Sequence, residues 1–208
     1  MGKKYEFTDE TITVNGITLH RIKALIDFDR FGVKAGDLGG FIEAEANLSH
    51  DGDAWVYGDA LVSENAKVYG DAWIFGNAKV SENACVSGNA CVSGYAWISG
   101  NAKISGDAWI SGNAKMSGDA WISGNAKMSG DAKIKRSNDY ACVNGFGSVY
   151  KNATFFRCED DLIRAQCGPF YGTIDEFRAK VKEAHGDSKY AKEYLMIADL
   201  MEYHFAED

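Results

Sequence analysis

The sequence predicts a mainly β chain: a parallel β-helix of about six three-strand coils, with an N-terminal β-hairpin cap and a C-terminal hairpin plus two-helix unit. Three observations predict it. Alanine recurs at every sixth position from Ala54 to Ala132, fourteen times without a miss. Two residues after each stands an aliphatic residue or Met, from Val56 to Ile134. Pairs such as Gly100-Asn101 and Gly106-Asp107 separate most units. A fixed short period marks a repeat array, because one unit cannot bury its own apolar face and must stack on its neighbours.

Within a unit, strand alternation places Ala and the aliphatic residue on one side and the residue between them on the other. The small Ala suits the crowded junction between walls, and the aliphatic residue fills the interior. Gly-Asn and Gly-Asp turn the corner because both types tolerate positive φ. Three units complete a coil, so residues eighteen apart stack about 4.8 Å apart. Ile42 and Leu48 open the phase, and an insertion around Ser49-His50-Asp51-Gly52 interrupts it. After a second insertion near Arg136-Ser137-Asn138 the phase runs on through Val143, Val149 and Phe155. The chain therefore divides into a hairpin cap over 1–40, the repeat over 41–156, and a hairpin and helical cap over 157–208.

Open ends of a β-helix are unpaired edges and need covers. In ITVNGITL, Asn15-Gly16 sits between alternating runs and predicts a tight hairpin. At the other end TFFRCEDDLIRAQC predicts a hairpin turning at Glu159-Asp160-Asp161. Thr173 and Glu176 form a capping box for a helix with stripe Ile174, Phe177 and Val181, stopped at Gly186. A second helix, capped by Asp187 or Ser188, carries Tyr190, Tyr194, Ile197, Met201 and Phe205, a stripe broad enough to require a packing partner.

The net charge of -8 argues against duplex nucleic-acid binding, which needs a basic face, and leaves a basic protein surface as a natural partner. Five cysteines form an odd set without a C-x-x-C, and MGKKYEFTDE lacks an apolar signal core. Reduced thiols in a cytoplasmic protein are expected, with no cofactor and no metal. No apolar run approaches the roughly 20 residues a membrane span needs.

All five tryptophans occupy the outward slot between Ala and the aliphatic residue. Trp55, Trp73, Cys91, Trp109 and Lys127 fall in one column, with Tyr57 and Phe75 beside it. Trp55, Tyr57, Trp73, Phe75 and Trp109 are the candidate partner-binding residues, since so concentrated an apolar wall is expected to be covered. Its cover is the chain's own C-terminal helices, a second copy in a dimer or trimer, or a protein partner. A second set, Trp97, Lys103, Lys115, Trp121 and Lys127, alternates rings and ammonium groups and suits stacked nucleobases with phosphates. The corner residues Asp53, Asp71, Asn89, Asp107 and Asn125 predict a side-chain ladder, with a calcium site at Asp53 and Asp71 as the sharper alternative. Cys158 and Cys167 flank a hairpin and are expected to approach each other.

Strings such as ISGNAKMSGDAWISGNAKM resemble the hexapeptide-repeat, left-handed parallel β-helix proteins. The likeness implies the left hand, and it implies acyl transfer from a coenzyme A thioester as a candidate reaction. Such chemistry uses a His as general base, and His50, lifted from the repeat by the insertion, is the one candidate. The segments LGGFIE and CGPFYGTIDEFRAKVKEAHGDSKYAKEY resemble hexapeptide-repeat proteins of phages and prophage-bearing bacteria that carry a C-terminal helical cap. That likeness implies a mobile-element origin and, as one use, inhibition of a host defence system. The expected function is a non-enzymatic interaction protein that binds a host protein or itself. The alternatives are a coenzyme A-dependent acyltransferase and a nucleotide-sequestering protein.

Overall fold

The computed structural model describes residues 2–28, 31–148 and 150–206. The chain opens with a hairpin of β1 (Tyr5–Val14) and β2 (Ile17–Ala24). Its turn residues Asn15 and Gly16 both have positive φ, 53° and 82°, the conformation whose twist matches the flanking strands. β2 pairs antiparallel with β3 (Leu38–Ile42), and β3 pairs in parallel with Leu61–Val62, so the hairpin extends one wall of the solenoid.

Fourteen two-residue strands follow at six-residue intervals, from β4 (Trp55–Val56) to β17 (Lys133–Ile134). They stack in parallel with an eighteen-residue offset into three walls of about five coils. Every repeat alanine and every repeat aliphatic residue or Met is at most 1% exposed. Each large aliphatic so placed stabilises the fold by roughly 1.5–3 kcal/mol.

The corner glycines have φ between 60° and 71°. A Cβ on Gly100 would also lie 2.6 Å from the Gly118 amide nitrogen, so close coil stacking demands glycine there as much as backbone conformation does. Glu64 and Glu82 take the same left-handed conformation, each with φ 58°. They are tolerated because their carboxylates are used: Glu64 Oε2 accepts from the Glu82 amide at 2.6 Å, and Glu82 Oε2 from the Gly100 amide at 2.8 Å. The next corner residues form an amide ladder, Asn65 donating to Asn83, Asn83 to Asn101 and Asn101 to Asp119, at 3.2, 3.2 and 2.9 Å.

The repeat ends at Ile134, earlier than its phase suggests. A 3-10 turn at Ser137–Asp139 leads into an antiparallel sheet of β18 (Tyr140–Val143), β19 (Ala153–Arg157), β20 (Ile163–Cys167) and β21 (Phe170–Thr173). Val143 pairs with Ala153, and Phe155 with Ala141 and Ala165, so neither belongs to a further coil. Val149 lies outside the described residues. The repeat thus gives way after Ile134 rather than at 156. Beyond Ile134 the regular Ala-x-aliphatic units and their left-handed corners are gone, and antiparallel pairing satisfies the backbone instead. The expected turn is present between β19 and β20, with Asp161 at φ 60°.

β19 joins two cores by alternation. Phe156 faces the solenoid interior, whereas Phe155 packs edge-on against Phe177 of α1 (Ile174–His185) at 5.5 Å. Thr173 caps α1 in the predicted box with Glu176, and Ser188 caps α2 (Lys189–Phe205). Ile174, Phe177, Val181, Tyr194, Ile197, Met201 and Phe205 are all buried, while Tyr190 stays at the surface. The helices pack on the sheet, and the sheet packs on the last coil.

Candidate functional site

The aromatic column read from the eighteen-residue spacing exists as a strand register: Trp55, Trp73, Cys91, Trp109 and Lys127 stack in that order. Its upper end is already occupied. Trp55 points away from the axis yet is fully buried, with Phe28 at 5.1 Å and Tyr5 at 6.4 Å. Phe31 stacks on Trp73 at 4.5 Å, and Phe75 closes its other side at 4.6 Å. The cover is the N-terminal segment, not the C-terminal helices, and Trp55 is therefore no partner contact. Because the hairpin extends the adjoining wall, the residues leaving β2 are delivered over the column, where apolar burial holds them. Tyr57 and Trp109 stay nearly half exposed, but Trp73 and Trp109 are two coil spacings apart, about 9–10 Å, with Cys91 between them. The wall is not one open patch.

The same segment closes the solenoid's first edge. In the body of the array each corner carbonyl accepts an amide from the preceding coil, as Gly76 does from Asp59 and Gly94 from Asn77. Gly52, Gly58 and Glu64 have no full preceding coil, and side-chain donors replace it. Lys4 Nζ donates to Gly52 O at 3.2 Å and Ala54 O at 2.7 Å. Arg21 Nη1 reaches Gly58 O at 3.4 Å, and Asn47 Nδ2 donates to Glu64 O and Ala66 O, both at 2.9 Å. At the far edge acceptors serve unpaired amides: Ser137 Oγ takes the Trp121 amide, Thr154 Oγ1 that of Lys127, and Asp139 Oδ2 that of Lys135. Both edges are thus closed against further pairing.

Lys4 is 1% exposed, and burial pushes its ammonium down to about 8, against the opposing pull of Asp53, Asp51 and Asp71. Its folded-state pKa lies below the unfolded one, so the cost of burying its charge is complete below pH 8 and disappears as pH rises from 8 toward 10.5. That cost is on the order of 3 kcal/mol. The stability of the wild type relative to Lys4→Met should therefore increase between pH 7 and pH 10, measured by urea unfolding at matched salt. A difference that stays flat over that range would contradict this assignment.

His50 belongs to this cap. Its ring stacks on Tyr5 at 4.3 Å, and its Nδ1 accepts from the Lys4 backbone amide at 3.2 Å. Its other ring nitrogen, Nε2, is shielded from solvent and has no partner among the described residues. A ring so placed offers no free base, and the general-base role for His50 is set aside. Tyr5 donates to Leu48 O at 2.9 Å, and burial raises its phenol well above the usual range.

The remaining candidates separate. Trp97 pairs in register with Lys115 on one wall, Lys103 with Trp121 on a second, and Trp109 with Lys127 on the third. No one ligand meets all five. Asp71 Oδ1 accepts from the Asp53 amide at 3.1 Å and Asn89 donates to Asp107 at 2.8 Å, which is ladder chemistry. Among the described residues no group of three or more His, Cys, Asp or Glu is placed to hold a metal. Cys158 follows β19 at the turn, its amide donating to Leu162 O, whereas Cys167 ends β20 paired with Ala153 at the other end of the β19–β20 pair, so they do not meet.

One surface escaped the sequence reading. Met196, Leu200 and Tyr203 are 71%, 56% and 83% exposed on α2, at a spacing that gives a helix a second apolar stripe opposite its buried one. Asp199 and Glu202 flank them and share Arg178, at 2.8 and 2.7 Å. The breadth of the apolar pattern on this helix was the available signal. No protein-family model matches the chain, and no curated protein matches it either.

Proposed function

We propose that this chain is a non-enzymatic binding protein in which the solenoid is a stiff spine and α2 presents the contact face to a protein partner. The observation that carries the reading is the outward stripe of Met196, Leu200 and Tyr203 on a helix whose other face is already packed. Such a stripe at i, i+4 and i+7 is how helices engage grooves, and a tyrosine beside flexible apolar anchors suits a binding hot spot. The acidic flank of Asp199 and Glu202, with a net charge of -8, favours a partner whose apolar groove is ringed by basic residues. The resemblance to phage-borne hexapeptide-repeat proteins makes a bacterial host protein, including a component of a defence system, the expected partner. Self-association through the same stripe is the other use.

The test is a double substitution, Met196→Asp with Leu200→Asp, in the full chain. Light scattering on purified protein and affinity capture from a bacterial lysate are followed by direct titration of any captured protein. Affinity, for the partner or for itself, should fall at least tenfold while the thermal midpoint holds. The reading fails if the wild type stays monomeric and captures nothing that the variant loses.

A further inference from the structure

A cleft of about 850 Å³ lies between β17, the turn that follows it, β19 and α2. Strand alternation points Lys133 and Lys135 outward into it while Ile134 enters the core. Arg136 and Arg157 bring the Lys and Arg side chains to four, against two carboxylates, Asp139 and Asp161. In a chain of net charge -8 this basic excess is local.

Among the described residues the two lysines have no carboxylate against them, and both arginines share one. Neither Lys133 nor Lys135 forms an ion pair among the described residues, and Arg136, with a side chain 73% exposed, comes only within 3.9 Å of Asp139. Asp139 is buried and already used: its Oδ2 accepts the amides of Lys135 and Arg136 at 2.8 and 2.9 Å, and its Oδ1 faces Arg157 Nε at 3.7 Å. Arg157 is held in place by donating Nη2 to Phe205 O at 2.7 Å. On the opposite side Tyr203 offers an exposed ring at the rim.

We infer that this cleft binds a nucleotide through a chain of two or more phosphates, with Lys133, Lys135 and Arg136 on the phosphates and Tyr203 against the base. Two lysines at i and i+2 of a strand stand about 6.6 Å apart, a separation that spans linked phosphates better than a single one. Guanidinium and ammonium groups hold phosphate oxygens by charge-assisted hydrogen bonds, and an aromatic face stacks any base. The volume falls in the range of small-molecule sites and is too small for a duplex. The cleft shares Leu200 and Tyr203 with the protein-binding stripe but not Met196, so Met196→Asp should leave it intact.

Calorimetry on the full chain with ADP, AMP, adenosine and pyrophosphate is the test. ADP should bind more tightly than AMP or pyrophosphate, and adenosine should give no heat. Lys133→Gln with Lys135→Gln should weaken ADP at least tenfold with the melting temperature unchanged, and Lys103→Gln with Lys127→Gln, on other walls, should not. Tyr203→Ala should weaken ADP and spare pyrophosphate. The inference is overturned if no probe binds, if ADP binds the Lys133 and Lys135 variant undiminished, or if pyrophosphate binds as well as ADP.

Discussion

Trp55→Ala should destabilise the protein by about 3–5 kcal/mol, whereas Trp109→Ala, in the same column, should change stability by no more than about 0.5 kcal/mol. The two residues share a strand position, a neighbouring Ala and an outward direction, so repeat logic makes them equivalent. They differ in what lies above them. Trp55 is fully buried beneath Phe28 and Tyr5, beside the Lys4 site, whereas Trp109 is 46% exposed. Removing Trp55 opens a cavity in the N-terminal cover and loosens the donors that close the first edge. Denaturant midpoints for the two variants at constant slope would measure the contrast. Equal losses would mean that the N-terminal segment does not seal the column.

Ile98→Asp should abolish cooperative folding of the central coils, while Trp97→Asp, one residue earlier, should cost less than about 1 kcal/mol. Ile98 is 0% exposed and sits in register between Val80 and Met116, with no polar group in that column to receive a carboxylate. An unpaired buried acid costs more than most of a typical domain's net stability of roughly 5–15 kcal/mol. Stability in a stacked array is close to a sum of neighbour terms, so the damage should centre on the flanking coils. Hydrogen exchange should show lost protection around residues 80–116 with the sheet from Tyr140 to Thr173 retained. Uniform tolerance of Ile98→Asp would refute the inward placement of the aliphatic residues.

Residues whose placement depends on their own chain neighbours were legible early. The Asn15-Gly16 turn, the Thr173 capping box and the order of the Trp55 column all follow from short-range pattern and an eighteen-residue count. Where Lys4, Arg21, Asn47 and Phe31 would go was not legible, because each acts on residues between 17 and 50 positions away. A signal for the donors existed in the edge itself: the first coil's corner carbonyls must be paired, and the preceding segment holds the Lys, Arg and Asn to do it. For the cleft the signal was the run KIKR at 133–136, in which alternation sends both lysines outward.

The solenoid, its register, its buried face and the class of each cap follow from the residue pattern alone, since a six-residue period with positive-φ corners leaves few other ways to bury alanine and aliphatic side chains. The seal over the N-terminal end of the indole column, the place of His50 in the cap and the stop of the repeat at Ile134 arise from long-range packing. Periodicity records what each unit presents to its neighbours above and below. Which distant segment covers an outward face is chosen by competition among apolar and polar groups, and nothing in the period encodes that outcome.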